Sequence, residues 1–258
     1  MPNPAQGRAI EPMWGRRVTE RDAWDALQRC RRELKLNEIP IPVPVDDWIE
    51  RALGIRFSIE DLSRFGENVL GAAFVADREI LVDERVLKNE GRFRFTCAHE
   101  LGHVLLHRGA EAMFREPSES SVFEPLDRYE READRFAAAF LMPVPLLEIE
   151  LVRVLDQKGL HRGKVMALLM QPTVESEWLW RRVILPHITS RFAVSLAAAI
   201  FRFGDVQPKI LAGEPLLPRE FVGLLQRKPT NAALDGVSVS NGIPVDSALF
   251  RTVKGKRK

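Results

Sequence analysis

Cysteine is scarce here: Cys30 and Cys97, far apart in the chain, are the whole supply in 258 residues. Two such thiols argue against a disulfide framework and suit a reducing compartment. Long apolar runs are also missing. Charges interrupt the longest of them well before a membrane span is reached. The opening Met1-Pro2-Asn3-Pro4-Ala5-Gln6-Gly7-Arg8 has no apolar signal core. The expected location is the cytoplasm, with no membrane partner. Charge of one sign is lacking as well: 38 basic side chains face 36 acidic ones, leaving a net +2. The whole-chain balance therefore indicates no particular partner. No internal repeat is present.

What is there suffices for a folded protein. Hydrophobic residues make up 45% and charged residues 29%, and the length fits one large domain or two small ones. Basic residues gather only at Arg251-Thr252-Val253-Lys254-Gly255-Lys256-Arg257-Lys258. That run reads as a solvated tail, with a phosphate-contacting arm as the sharper alternative.

Periodicity divides the chain into four parts. Residues 1–17 read as a flexible leader, 18–150 as a first folded domain, 151–206 as a helical region, and 207–258 as an irregular region with the basic tail. Within the second part, Val18–Leu36 is an amphipathic helix with Trp24, Leu27, Cys30 and Leu34 on one side. Alternate prolines make Ile39–Pro44 extended, and a short helix follows from Asp46 to Leu53. Ile55–Ile59 is a candidate strand. Leu70–Phe74 and Glu79–Val82 form a hairpin turning near Ala76-Asp77-Arg78. A helix follows Gly91, with Gly109 as its natural stop. Another runs from about Leu126 to Met142. Further helices are expected at Pro145–Gly159 and Gly163–Met170, and a helical pair at Thr189–Gly204. Residues 172–187, which include Trp178 and Trp180, receive no assignment. The fold class is α+β: mostly helical, with a small antiparallel sheet beside the helix that follows Gly91 and a helical C-terminal region.

The chemistry concentrates in His99-Glu100-Leu101-Gly102-His103. On a helix, residues four apart share a face. His99 and His103 can thus offer two imidazole nitrogens to one metal ion, with Glu100 beside them for proton transfer. A catalytic zinc needs a third protein ligand. The next carboxylate-rich helix supplies candidates. Glu130 shares a face with Ala133 and Asp134 and is the favoured ligand. Asp134 could orient a zinc-bound histidine from behind. Glu132 is the rival ligand. His107 also lies on the motif face, but three ligands on one straight helix would span about 12 Å, so it reads as a helix-end neighbour of the site. Tyr129, the only tyrosine, faces about 100° away from Glu130 and receives no role. His161 and His187 read as surface or structural residues. In the expected mechanism zinc activates a water, and Glu100 takes its proton and passes it to the leaving amine. Manganese or iron could suit the same donors.

The stretch Arg94-Phe95-Thr96-Cys97-Ala98-His99-Glu100-Leu101-Gly102-His103-Val104-Leu105-Leu106-His107 resembles the active-site helix of the ImmA/IrrE-type metallopeptidases. Glu130-Arg131-Glu132-Ala133-Asp134-Arg135-Phe136-Ala137-Ala138-Ala139-Phe140-Leu141-Met142-Pro143 is similar to the helix that follows it, whose leading glutamate is the third zinc ligand. Leu70–Phe74 and Ile80–Asp83 resemble the preceding hairpin. The resemblance covers residues 40 to 143. It implies a regulatory zinc endopeptidase whose substrate is a helix-turn-helix repressor, or a companion of a small DNA-binding antitoxin. Ser190–Gly204 resembles the helix-turn-helix-like segment that often follows. An ordinary helical hairpin is the alternative, and with Arg202 the clearest basic residue on its second helix, direct base reading is weakly supported. The tryptophan-containing 172–187 segment and the basic tail depart from the family pattern. Two other readings stay open: a DNA- or protein-binding regulator with a structural metal, and a toxin-like member of a two-gene module.

Overall fold

The computed structural model describes residues 13–108, 123–169, 171 and 173–203. The first twelve residues, Gly109, most of the serine-rich loop expected at 117–125 and the whole 207–258 region lie outside the described residues. The described chain falls into two compact units. The first contains residues up to 39, 45–85 and 96–140; the second contains 40–44, 86–95 and 141 onward.

The first unit opens with helix α1 (Met13–Glu33), which starts ahead of the predicted Val18. Ala23, Leu27 and Cys30 are buried along it at helical spacing. Helix α2 (Val45–Arg51) carries Asp46 and Asp47 in its first turn, where they suit the positive end of the helix dipole. It buries Trp48 and Ile49 and packs beside strand β1 (Arg56–Glu60). Strands β2 (Gly71–Phe74) and β3 (Glu79–Asp83) form the predicted hairpin. Its turn places Arg78 at φ 50°, and the Arg78 guanidinium donates to the Leu53 carbonyl at 2.7 Å.

The sheet corrects one expectation. It is mixed, in the order β1-β3-β2, with β1 parallel and β2 antiparallel to β3. After β1 the chain crosses to the far edge before the tight turn, so the last strand becomes the central one. Ile80, Leu81, Val82 and Asp83 are buried accordingly. Asp83 accepts from Leu62 N at 2.8 Å and pairs with Arg85, whose guanidinium also donates to the carbonyls of Glu67 and Val69. The Arg85 hydrogen bond holds the Asp83 carboxyl well below its usual range against the opposing effect of burial. This clamp fixes the loop that leads into β2.

Helix α3 (Glu90–Leu106) and helix α4 (Phe123–Leu141) complete the first unit. They cross closely at Gly102, where an added Cβ would lie 3.2 Å from Ala133 Cα and from Phe136 Cδ1. Ala133, Phe136, Ala137 and Phe140 are fully buried, which is the predicted apolar face of α4.

The second unit contains α5 (Val144–Gln157), α6 (Arg162–Leu169), α7 (Val174–Leu179), α8 (Leu185–Phe192) and α9 (Leu196–Phe203). Thr173 and Ser176 form a reciprocal capping box at the start of α7. A π-helical stretch, Trp180–Ile184, joins α7 to α8, so the unassigned 172–187 segment is largely helical. Its buried Trp180 meets Phe203 edge-on at 4.9 Å. Gly159, at φ 65°, follows α5 as a left-handed stop. Ala193, at φ 49°, ends α8, and α9 leaves at a 113° bend. The first residues of α3 belong to this unit too: a Cβ on Gly91 would lie 2.5 Å from Ser195 N. Among the described residues no single helix is long and apolar enough to cross a membrane.

Candidate metal centre

Helix α3 places His99 and His103 one turn apart with both Nε2 atoms turned toward α4. These nitrogens lie 3.1 Å from each other. Glu130 of α4 meets them, with Oε2 3.1 Å from His99 Nε2 and Oε1 3.5 Å from His103 Nε2. Two donors held about 2.0–2.1 Å from one centre at tetrahedral angles are about 3.3 Å apart. The two Glu130 separations run to different oxygens; one donor atom from each of His99, His103 and Glu130 lies within 4.8 Å of the others, so the three residues could hold a small divalent ion. Two facing imidazole nitrogens and a carboxylate are also the donor chemistry that such an ion prefers.

The surroundings of each residue differ. His99 donates from Nδ1 to Asp134 Oδ1 at 2.9 Å. Burial alone would push the His99 imidazole down, but hydrogen bonds to Asp134 and Glu130, with the charge of Glu100, lift it to about 10. The His103 and His99 contacts hold the Glu130 carboxyl far below its usual range against its partial burial. Glu130 keeps 47% of its side chain exposed, so the shared point opens to solvent on that side. Asp134 meets His99 through Nδ1, the ring nitrogen that Glu130 does not contact.

Glu100 is buried at 8% exposure, and burial pushes its carboxyl above the usual value while His99 and His103 partly oppose the rise. Its place depends on Gly71 in β2: an added Cβ there would overlap the Glu100 carboxyl and come within 2.8 Å of its Cγ and Cδ. Sequence reasoning quoted Gly71 in the hairpin and gave it no role. The only local signal is a small residue facing a catalytic motif across unrelated sequence.

Glu132 is not beside His99; it accepts from Arg128 Nε at 2.9 Å and lies 3.4 Å from His107 Nε2. His107 is buried against His103, with the two Nδ1 atoms 3.0 Å apart. Burial and the neighbouring His103 hold the His107 imidazole below its usual value. Tyr129 turns its ring to His107 at 4.7 Å. In the second unit, His187 lies 3.0 Å from Glu150; His161 is exposed.

The model of the IrrE N-terminal-like domain, peptidase family M78, matches residues 50–160. Residues 50–160 are thus similar to that domain. The matched span contains Gly71, both motif histidines, Glu100, Glu130 and Asp134. The "Uncharacterized immunity region protein 2" of Bacillus phage phi105 is 42% identical over 55 residues, which are 21% of this chain and 33% of that protein. The chain thus spans about a third of the length of this curated relative. A solved "Mycobacterium tuberculosis transcriptional regulator" aligns with a TM-score of 0.42 and 14% identity, covering 81% of this chain and 49% of that one.

The IrrE-like domain is followed by the segment likened to a helix-turn-helix. The 113° bend between helices fits such a motif. On α9, Leu196 and Phe201 are exposed at 56% and 47%. The Arg202 guanidinium donates to the Met142 carbonyl at 3.1 Å.

Proposed function

We propose that this chain is a metal-dependent endopeptidase, zinc being the metal, which cuts a specific regulatory protein. The convergence of His99, His103 and Glu130 beside a buried Glu100 carries this reading. Residues 18–150 would be the peptidase domain. The metal, when bound, supplies a Lewis acid that polarises a peptide carbonyl and makes water a stronger nucleophile. The remaining work belongs to the chain. Asp134 holds the His99 ring through Nδ1. Glu100, with its proton affinity raised by burial, accepts a proton from the attacking water and returns one to the leaving amine. Gly71 leaves the space in which the Glu100 carboxyl works.

A helix-turn-helix repressor, or a small DNA-binding antitoxin, is the substrate class we favour. The likeness to a phage immunity-region protein and the family's peptidase description support it. The apolar surface of α9 makes the DNA-binding alternative the weaker one.

The deciding experiment mixes purified protein with a small helix-turn-helix protein, chosen as the product of an adjacent gene where one encodes it. Cleavage should stop when a chelator removes the metal and resume with Zn2+; parallel additions of Mn2+ and Fe2+ identify the preferred ion. Glu100→Gln should lower cleavage by about 10²–10⁴-fold with metal content unchanged. Full activity of that variant, or of the chelated protein, would end the proposal.

A further inference from the structure

His99 and His103 each face the shared point with Nε2. To act as ligands they must present that nitrogen unprotonated, and each then carries its proton on Nδ1. The two Nδ1–H groups end differently. That of His99 meets a carboxylate, Asp134. That of His103 meets Nδ1 of His107 at 3.0 Å. His107 can accept there only if its own proton sits on Nε2. This Nε2 is buried and lies 3.4 Å from Glu132 Oε2. The separation is long for a hydrogen bond, yet Nε2 has no closer hydrogen-bond partner among the described residues, and an unpaired buried N–H is costly. Glu132 is held in turn by Arg128. The Tyr129 ring stands edge-on against His107, which is only 3% exposed, so the imidazole has little room to turn.

We propose that His107 and Glu132 are a positioning pair for His103. His103 Nδ1–H donates to His107 Nδ1, His107 Nε2–H donates to Glu132, and His103 Nε2 is left bare toward Glu130 and His99. The pair rests on the reading of His99, His103 and Glu130 as metal ligands. It gives the site two unlike supports: a carboxylate directly behind one ligand, and a neutral imidazole backed by a carboxylate behind the other. Neither His107 nor Glu132 touches the reacting atoms.

The test measures the Zn2+ dissociation constant of the full chain by chelator competition, with melting of the metal-free protein as the fold control. His107→Leu should weaken zinc binding roughly 10–100-fold. His107→Asn, whose Oδ1 can replace the Nδ1 acceptor, should restore it to within roughly threefold, and Glu132→Ala should cost roughly three- to tenfold. Nitrogen-15 imidazole spectra of the zinc-loaded protein should find His107 protonated on Nε2 alone. Wild-type affinity in a folded His107→Leu variant, or a His107 proton on Nδ1, overturns the pair. If His107→Leu does not fold, Glu132→Ala and the tautomer spectrum decide. A separate arm uses His103→Ala. Zinc affinity unchanged in that variant would sink the metal-site reading itself. Loss of binding there, with His107→Leu and Glu132→Ala unaffected, would overturn the positioning pair alone.

Discussion

The chemistry of single residues here is set by what stands next to them. Glu100 keeps its place because Gly71 has no side chain. Gly71→Ala should push the carboxyl aside and lower kcat of the proposed peptidase reaction at least tenfold, since a shift of about 1 Å can cost about 10²-fold. Zinc affinity should stay near wild type, because the atoms that an added Cβ meets first belong to Glu100 and not to a proposed ligand; an unchanged kcat would deny the packing argument. His99 yields a pH prediction. In the metal-free protein it is lifted to about 10 and so is protonated at neutral pH. Metal binding needs its Nε2 bare, hence apparent affinity should rise as pH rises toward that value, by up to roughly tenfold per unit. Titration calorimetry in two buffers of different ionisation enthalpy should find about one proton released per ion at pH 7. Zero release would contradict the paired-carboxylate environment of His99. Of these residues, His99, Glu100 and His103 were legible as a motif because helical spacing is local. Gly71 was not, because its reason lies on another strand.

The close crossing of α3 and α4 brings Glu130 to His99 across 31 residues of sequence. Gly102 allows that approach, with Ala133 backbone and the Phe136 ring already at contact distance from the missing Cβ. Gly102→Val should overpack the crossing and destabilise by about 1–3 kcal/mol, seen in denaturant unfolding, and should weaken zinc binding along with stability. Equal stability would mean that the helices separate freely. The sequence announced both helices through apolar spacing, and it ranked Glu130 above Glu132 by face alone. It did not place Glu132 on His107, because a side chain two residues off the ligand face finds its partner only once the second helix is docked. The same limit produced the antiparallel sheet expectation: residue alternation identifies strands, whereas strand order depends on which edge the chain reaches first.

In the molecule as a whole, each of the two units has its own polar anchor. The first has Asp83 with Arg85; the second has Glu150, fully buried, facing Arg153, His187 and Arg191. Burial raises the Glu150 carboxyl, but Arg191, His187 and Arg153 outweigh it and leave it below the usual value. A depressed carboxyl stabilises above its unfolded value and loses that contribution as pH falls through the folded one. Glu150→Gln should therefore lower the melting temperature at neutral pH, by about 1–3 kcal/mol of stability, and the gap to wild type should close below about pH 4.5. A gap that persists unchanged into acid would refute the ion cluster. No sequence pattern marked Glu150, since its partners lie up to 41 residues away. The amino-acid sequence by itself determined most of the helices, the hairpin and the two histidines with their glutamate, all of which are written in periods of a few residues. Only the tertiary structure decided which carboxylate meets those histidines, which side chains stand behind each of them, and which side chain a glycine faces. Those contacts depend on helices and strands packing together across long stretches of chain, and no local period records them.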